Sequence, residues 1–126
     1  MITLTPANDA ATVARITGPA VMDPARWINH PNAFTIVAHV DGDPAAVAVL
    51  IDGPLPEVHI AVVPHHRGRT TFAIAAAMRE WFMSTFAGNN LWTWSNDPRE
   101  VRFARRLGFH LAFTAHGRTH LFHPLH

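Results

Sequence analysis

The fold is decided by the stretch Val58-His59-Ile60-Ala61-Val62-Val63, continuing through Pro64-His65-His66-Arg67-Gly68-Arg69-Thr70-Thr71 into an apolar pattern that runs to Phe86. The first run is β-branched and apolar, so it reads as a strand. Beyond the turn, Ile74, Met78, Trp81, Phe82 and Thr85 fall at i, i+4, i+7, i+8 and i+11. That spacing predicts a helix from about Thr70 to Phe86 with one stripe against a sheet, and its alanines allow close approach. The first turn of a helix offers unpaired N–H groups and the positive end of a dipole, so anions settle there. Arg67 and Arg69 add full charges to that end. The same residues also read as an ordinary connection with solvated arginines.

Working outward toward the N-terminus, Glu57 to Val63 is preceded by Ala45 to Ile51, a continuous apolar run that predicts burial on both faces. Asp41-Gly42-Asp43 is a hairpin signal joining it to Phe34–Val40. These three strands make an antiparallel meander. Before it, Ile2-Thr3-Leu4 is a short strand, and two short helices are expected over 10–16 and 23–28, the second opened by Asp23-Pro24. Toward the C-terminus, Leu91 to Ser95 is a strand, so the long helix becomes a right-handed parallel crossover. Asp97-Pro98-Arg99-Glu100 opens a further helix with an N-cap, Pro at the first position and Glu placed for a capping box. Gly108 stops it, and Phe109–Thr114 and Thr119–Phe122 form a last hairpin around His116-Gly117-Arg118. The expected fold is α/β (α+β): a mixed sheet of six to seven strands, meander first and parallel β-α-β unit second, with helices on both faces.

The 126 residues are 48% hydrophobic, enough for one domain, residues 1–126, with its own core. Net charge is +1, which implies no strong field for a polyanion, and nucleic acid is not an expected partner. The Arg99, Arg102, Arg106 stripe reads as a solvated helix face. No segment has the length and apolarity of a signal peptide or a bilayer span, so a cytoplasmic location and no membrane partner are expected. Cys is absent, which excludes disulfides and thiolate chemistry. Tyr and Lys are absent too. His116, His120, His123 and His126 suggest metal ligands by number, but no carboxylate or Cys accompanies them, and no metal is expected.

In this element order, two segments carry a family likeness. Val62-Val63-Pro64-His65-His66-Arg67-Gly68-Arg69 resembles the strand-Pro-x-x-Arg-Gly-basic turn of the GCN5-related N-acetyltransferases (GNAT). Asn96-Asp97-Pro98-Arg99-Glu100-Val101-Arg102-Phe103-Ala104-Arg105-Arg106-Leu107-Gly108-Phe109 resembles their Asn-to-Leu-Gly-Phe helix. The resemblance spans nearly the whole chain. It implies two parallel strands that splay apart, at Val63, to hold acetyl-CoA as co-substrate. The backbone of Val62 and Val63 would pair with pantetheine, and the amides of Arg67, Gly68, Arg69, Thr70 and Thr71 would cradle the pyrophosphate. Asn96 would lie beside pantetheine and Arg99 would reach toward the nucleotide.

Acyl transfer to an amine needs a base, an oxyanion donor and an acid for the thiolate. Glu57 matches a glutamate that some family members use as base. Glu57 and His59 share one strand face, so either is a candidate base. The N–H of Val63 is a candidate oxyanion donor. The family's turn carries Gly, then Gly or Ala, where this chain has Thr70 and Phe72; its acidic Tyr is replaced by Ala104. Leaving-group protonation then falls to water, Ser95 or a His. The sequence therefore supports an acyl-CoA-dependent N-acyltransferase acting on an amine. The alternative is a catalytically inactive GNAT-fold binding or structural protein, of the kind encoded by tailed phages for virion or host-takeover functions. Homodimer formation, the acyl chain and the acceptor amine are left open.

Overall fold

The computed structural model describes residues 1–7, 11, 13, 31–63, 68–85 and 90–124. The helices expected over 10–16 and 23–28, and the turn residues Pro64 to Arg67, lie essentially outside the described residues. Seven strands form one sheet: β1 (Ile2–Pro6), β2 (Ala33–Val40), β3 (Asp43–Ile51), β4 (Glu57–Val62), β5 (Leu91–Ser95), β6 (His110–Ala115) and β7 (Arg118–His123). Their spatial order is β1-β2-β3-β4-β5-β7-β6. Every neighbouring pair is antiparallel except β4 and β5, which are parallel. Helix α1 (Arg69–Thr85) connects those two, and α2 (Pro98–Arg106) follows β5.

The meander forms for the reasons its sequence suggests. Asp41 and Gly42 both take positive φ, 50° and 85°, the geometry of a two-residue hairpin that matches strand twist. The residues from Ala45 to Leu50 are buried without a break, so β3 is covered on both faces and anchors the sheet. On α1, Ile74, Ala75, Met78 and Phe82 are fully buried, while Trp81 is half-buried and Thr85 is exposed. The stripe is one residue narrower at its C-terminal end than the periodicity predicts.

The two described helices lie against each other. Arg79 of α1 donates to the Leu107 carbonyl at the end of α2, and Phe72 meets Phe103 edge to face at 6.1 Å. Arg106 sits 5.4 Å over the Phe72 ring. Phe72 therefore leans across to α2. α1 packs on β1 and β3 and α2 on β5, and Gly108 at the end of α2 stands against the buried His123 of β7. Of helices on both faces, the described residues supply one face.

Leu107-Gly108-Phe109 closes α2 as a Schellman motif. The Phe109 N–H reaches the Ala104 carbonyl (3.1 Å) and the Gly108 N–H reaches that of Arg105 (3.0 Å). Gly108 has φ 104°, and a Cβ there would stand 2.8 Å from His123 Nε2. Conformation and space both demand glycine. Gly108→Ala is expected to lower stability by about 2 kcal/mol or more, read as an earlier urea unfolding midpoint. A loss too small to measure would contradict this account of the motif.

Candidate functional site

β4 and β5 pair at a single position. Glu57 is registered with Trp92, and the Trp92 N–H reaches the Pro56 carbonyl at 2.7 Å. One residue on, the Thr93 hydroxyl, rather than the next ladder amide, meets the Val58 carbonyl at 2.8 Å. No residue pairs follow. Burial falls away along both strands past this point: on β4, Val58 is buried and the residues from His59 to Val62 are half-buried; on β5, Leu91 is buried and the rest half-buried. The strands thus diverge, and they do so at Val58, five residues before the expected point.

Alternation along β4 decides which backbone groups line the gap. The Val63 N–H donates to the Ala45 carbonyl of β3 at 2.8 Å. In the continuous β3–β4 register, Ala61 and His59 face β3 in the same way, and Ile60 and Val62 face the gap. Val63 is therefore not an oxyanion donor, because its amide is already spent in the meander. The same hydrogen bond takes the Val63 N–H away from the expected pairing with a ligand, and Val62 faces the other edge.

Past the open end of β4, Gly68 (φ 116°) precedes α1. The Gly68 N–H donates to Thr71 Oγ1 at 2.9 Å, and the Thr71 N–H to the Gly68 carbonyl at 3.1 Å. Thr71 supplies the third-position half of a capping box, and the Gly68 carbonyl, in place of an N-cap side chain, takes the Thr71 N–H. A helix leaves its first amides unpaired by geometry; those of Arg69 and Thr70 are the two that the Gly68–Thr71 exchange does not use. Arg67 lies outside the described residues.

Ser95 proves to be part of a helix cap. Its hydroxyl accepts from the Asp97 N–H (3.0 Å) and donates to Glu100 (2.7 Å). The expected capping box of α2 is thus relayed through Ser95. Asp97 itself caps through the Arg99 N–H at 2.9 Å. Ser95 also points to the helix-covered face, opposite Trp94. Its proton is committed to Glu100, so Ser95 is a positioning residue and not an acid for a leaving group. Arg99 folds back on the Asp97 carboxylate (3.2 Å) with its side chain 83% exposed. Such an exposed pair is weak and leaves Arg99 free to swing outward. Asn96 is exposed at the β5–α2 junction.

The opposite face of the sheet carries the titratable groups. His59 Nε2 lies 2.7 Å from Glu57 Oε2. A carboxylate can only accept, so this nitrogen carries the proton and Nδ1 of the neutral ring presents the lone pair. The His59 ring meets Trp94 edge-on at 5.5 Å. Glu57 is held below its ordinary value of 4.5, first by the His59 hydrogen bond, against the opposing effect of burial, with help from the Trp94 N–H and the nearby His120. Register extends the row: Trp94 lies opposite His120, and His120 opposite Phe113, whose ring stacks on it at 4.4 Å. Sequence reasoning named Glu57 and His59 but not Trp94, His120 or Arg118 as their companions. A period of two along Arg118, His120 and Phe122 is the signal in β7; what it lacks is the neighbour, because β7 inserts between β5 and β6.

No protein-family model and no functionally curated protein matches the sequence. Solved structures do. An IAA acetyltransferase from Bacillus cereus superimposes with TM-score 0.75 at 14% identity, covering 99% of this chain and 100% of that one. The N-acetyltransferase PseH of Campylobacter jejuni gives TM-score 0.77 at 9% identity over 96% of each chain. A chimera of the spermidine N-acetyltransferase SpeG from Vibrio cholerae and hSSAT gives 0.76 at 13%, over 97% and 94%. The chain has the GNAT fold. Among the described residues of this GNAT-fold chain no three potential metal ligands come together, and no helix is long and apolar enough to cross a membrane.

Because the folded value of Glu57 is depressed, its ionic contribution to stability is complete above about pH 4.5 and is lost as the pH falls below that, through the folded value. The stability advantage of the parent over Glu57→Gln should therefore narrow between pH 6 and about pH 3, measured by urea unfolding. An unchanging difference would mean that the Glu57–His59 pair does not form.

Proposed function

We propose that the protein is an acyl-CoA-dependent N-acyltransferase, carrying an acetyl group from acetyl-CoA to an amine. The observation that carries this reading is the divergence of β4 and β5 after Val58, with the start of α1 beyond the open end of β4 and the Glu57–His59 pair where the strands part. The edge of β4 at Ile60, which no residue of β5 pairs, suits an extended chain bearing amides, which is what pantetheine is. The Arg69 and Thr70 amides, with Gly68 and Thr71 shaping the turn and Arg67 beside it, suit a pyrophosphate. On this reading Asn96 and Arg99, which follow β5 in the chain, reach the same ligand from the other side. The likeness to N-acetyltransferases of known structure supports the same reading.

Glu57 fixes the tautomer of His59, so the base is His59 Nδ1 and Glu57 is its partner, a division of labour familiar from acid–imidazole pairs. An imidazole is the side chain matched to neutral pH. In the transfer the acceptor nitrogen bonds the acyl carbon as the carbon–sulfur bond breaks. The proton on nitrogen passes to His59, and the departing sulfur takes one from water or a neighbouring imidazole, since Ala104 and Ser95 cannot supply it. The oxyanion falls to amides on the gap edge of β4, such as that of Ile60. The proposed setting is the cytoplasm.

Acetyl-CoA at 100 times its dissociation constant should stabilise the protein by about 2.7 kcal/mol, a thermal shift of several degrees. His59→Gln should keep that shift and lose on the order of 10²- to 10⁴-fold in turnover. The absence of Cys makes released CoA readable by a thiol reagent without background. No shift at millimolar ligand would leave a binding module on a GNAT fold; a shift with an unchanged His59→Gln rate would remove the pair as base.

A further inference from the structure

Arg118 lies on the same sheet face as Trp94 and His120, two residues from His120 along β7. Its guanidinium carbon sits 3.9 Å from the centroid of the Trp94 ring. The other neighbour of that indole is His59, at 5.5 Å between centroids. One indole thus separates an exposed guanidinium from the proposed base. No carboxylate of the described residues pairs with Arg118. Stacked on an aromatic face, a guanidinium is held in place yet keeps its in-plane N–H groups for a planar oxyanion. On the two rows of side chains around the gap, Glu57 is the one carboxylate, and it is already engaged by His59. His59, His120, His110 and Arg118 share this face. The permanent positive charge that this face offers an acceptor is the Arg118 guanidinium.

We infer that Arg118 is the specificity-determining residue of the acceptor site, and that the acceptor is a small amine carrying a carboxylate. The carboxylate binds the guanidinium edge in a bidentate pair, and the amine reaches across Trp94 to His59. The transfer itself is the one given above: nitrogen gains the acetyl group and loses a proton, and CoA leaves as the thiol. This inference rests on the acyltransferase reading.

The test is a panel of L-amino acids, the matching amino acid amides, and spermidine, each offered with acetyl-CoA and followed by thiol release. Calorimetric titration of the same compounds into the CoA-bound protein reads the preference even without turnover. Acids should exceed their amides by about 10-fold or more in kcat/KM or in affinity, the strength of a charge-assisted pair. Arg118→Gln should erase the preference, raising KM for the acids until the acid-to-amide ratio falls to about one, and Arg118→Lys should restore part of it. Amides equal to acids, a panel in which no acid binds or reacts, or a preference that survives Arg118→Gln would overturn the inference. Failure of acetyl-CoA to shift the melting temperature is a separate result, and it would remove the acyltransferase reading itself.

Discussion

A parallel pair of strands that stays joined for one residue pair and then opens is the constraint from which the rest of the molecule follows. Separating β4 from β5 forfeits ladder hydrogen bonds and exposes two backbone edges, a cost that a compact domain accepts only if the surroundings hold the strands apart. The holding is visible on both sides. β4 is tied to β3 along its whole length, up to the Val63–Ala45 hydrogen bond, and β3 is buried on both faces. β5 is tied to β7 along all five of its residues. Each strand belongs to its own antiparallel block, and Thr93, through its hydroxyl, marks where the two blocks part.

The helices are fixed at the mouth of this opening by their own ends. α1 starts on the exchange between Gly68 and Thr71, and α2 starts on the relay from Asp97 through Ser95 to Glu100. Both devices satisfy backbone donors that would otherwise be orphaned, and both set the direction of a helix beside the gap. The Phe72–Phe103 contact and the Arg79 hydrogen bond to Leu107 then lock the two helices to one another. With one face of the sheet occupied in this way, the titratable groups of β4, β5 and β7 gather on the other. Trp94 is their organiser: it meets the His59 ring in a T-shaped contact, and its face carries Arg118.

Much of this was legible in the sequence because it is local. The Asp41-Gly42 turn, the buried run of β3, the α1 stripe through Phe82, the Asp97 cap and the Gly108 stop each depend on residues a few positions apart, and each forms where its pattern predicts. The pairing of Glu57 with His59 follows from strand period alone. What was not legible depends on neighbours distant in the chain. Nothing near Ser95 says that its hydroxyl serves Glu100 in place of a ligand. Nothing in Val63 tells which strand its N–H faces; that follows from the register with β3. The position of β7 between β5 and β6, which brings Arg118 and His120 beside Trp94, cannot be read from a hairpin pattern that fits either order. The divergence point was displaced for the same reason, since Thr93 reaches Val58 across the chain.

The central claim is that the Ile60 edge of β4 lacks a strand partner and is there to be paired by a ligand. Amide hydrogen exchange resolved by residue tests it directly. The Ile60 N–H should exchange well ahead of those of His59 and Ala61, which face β3, and should slow toward them when acetyl-CoA is added. An Ile60 amide as protected as its two neighbours in the free protein would show β4 and β5 joined throughout, and the account would be wrong.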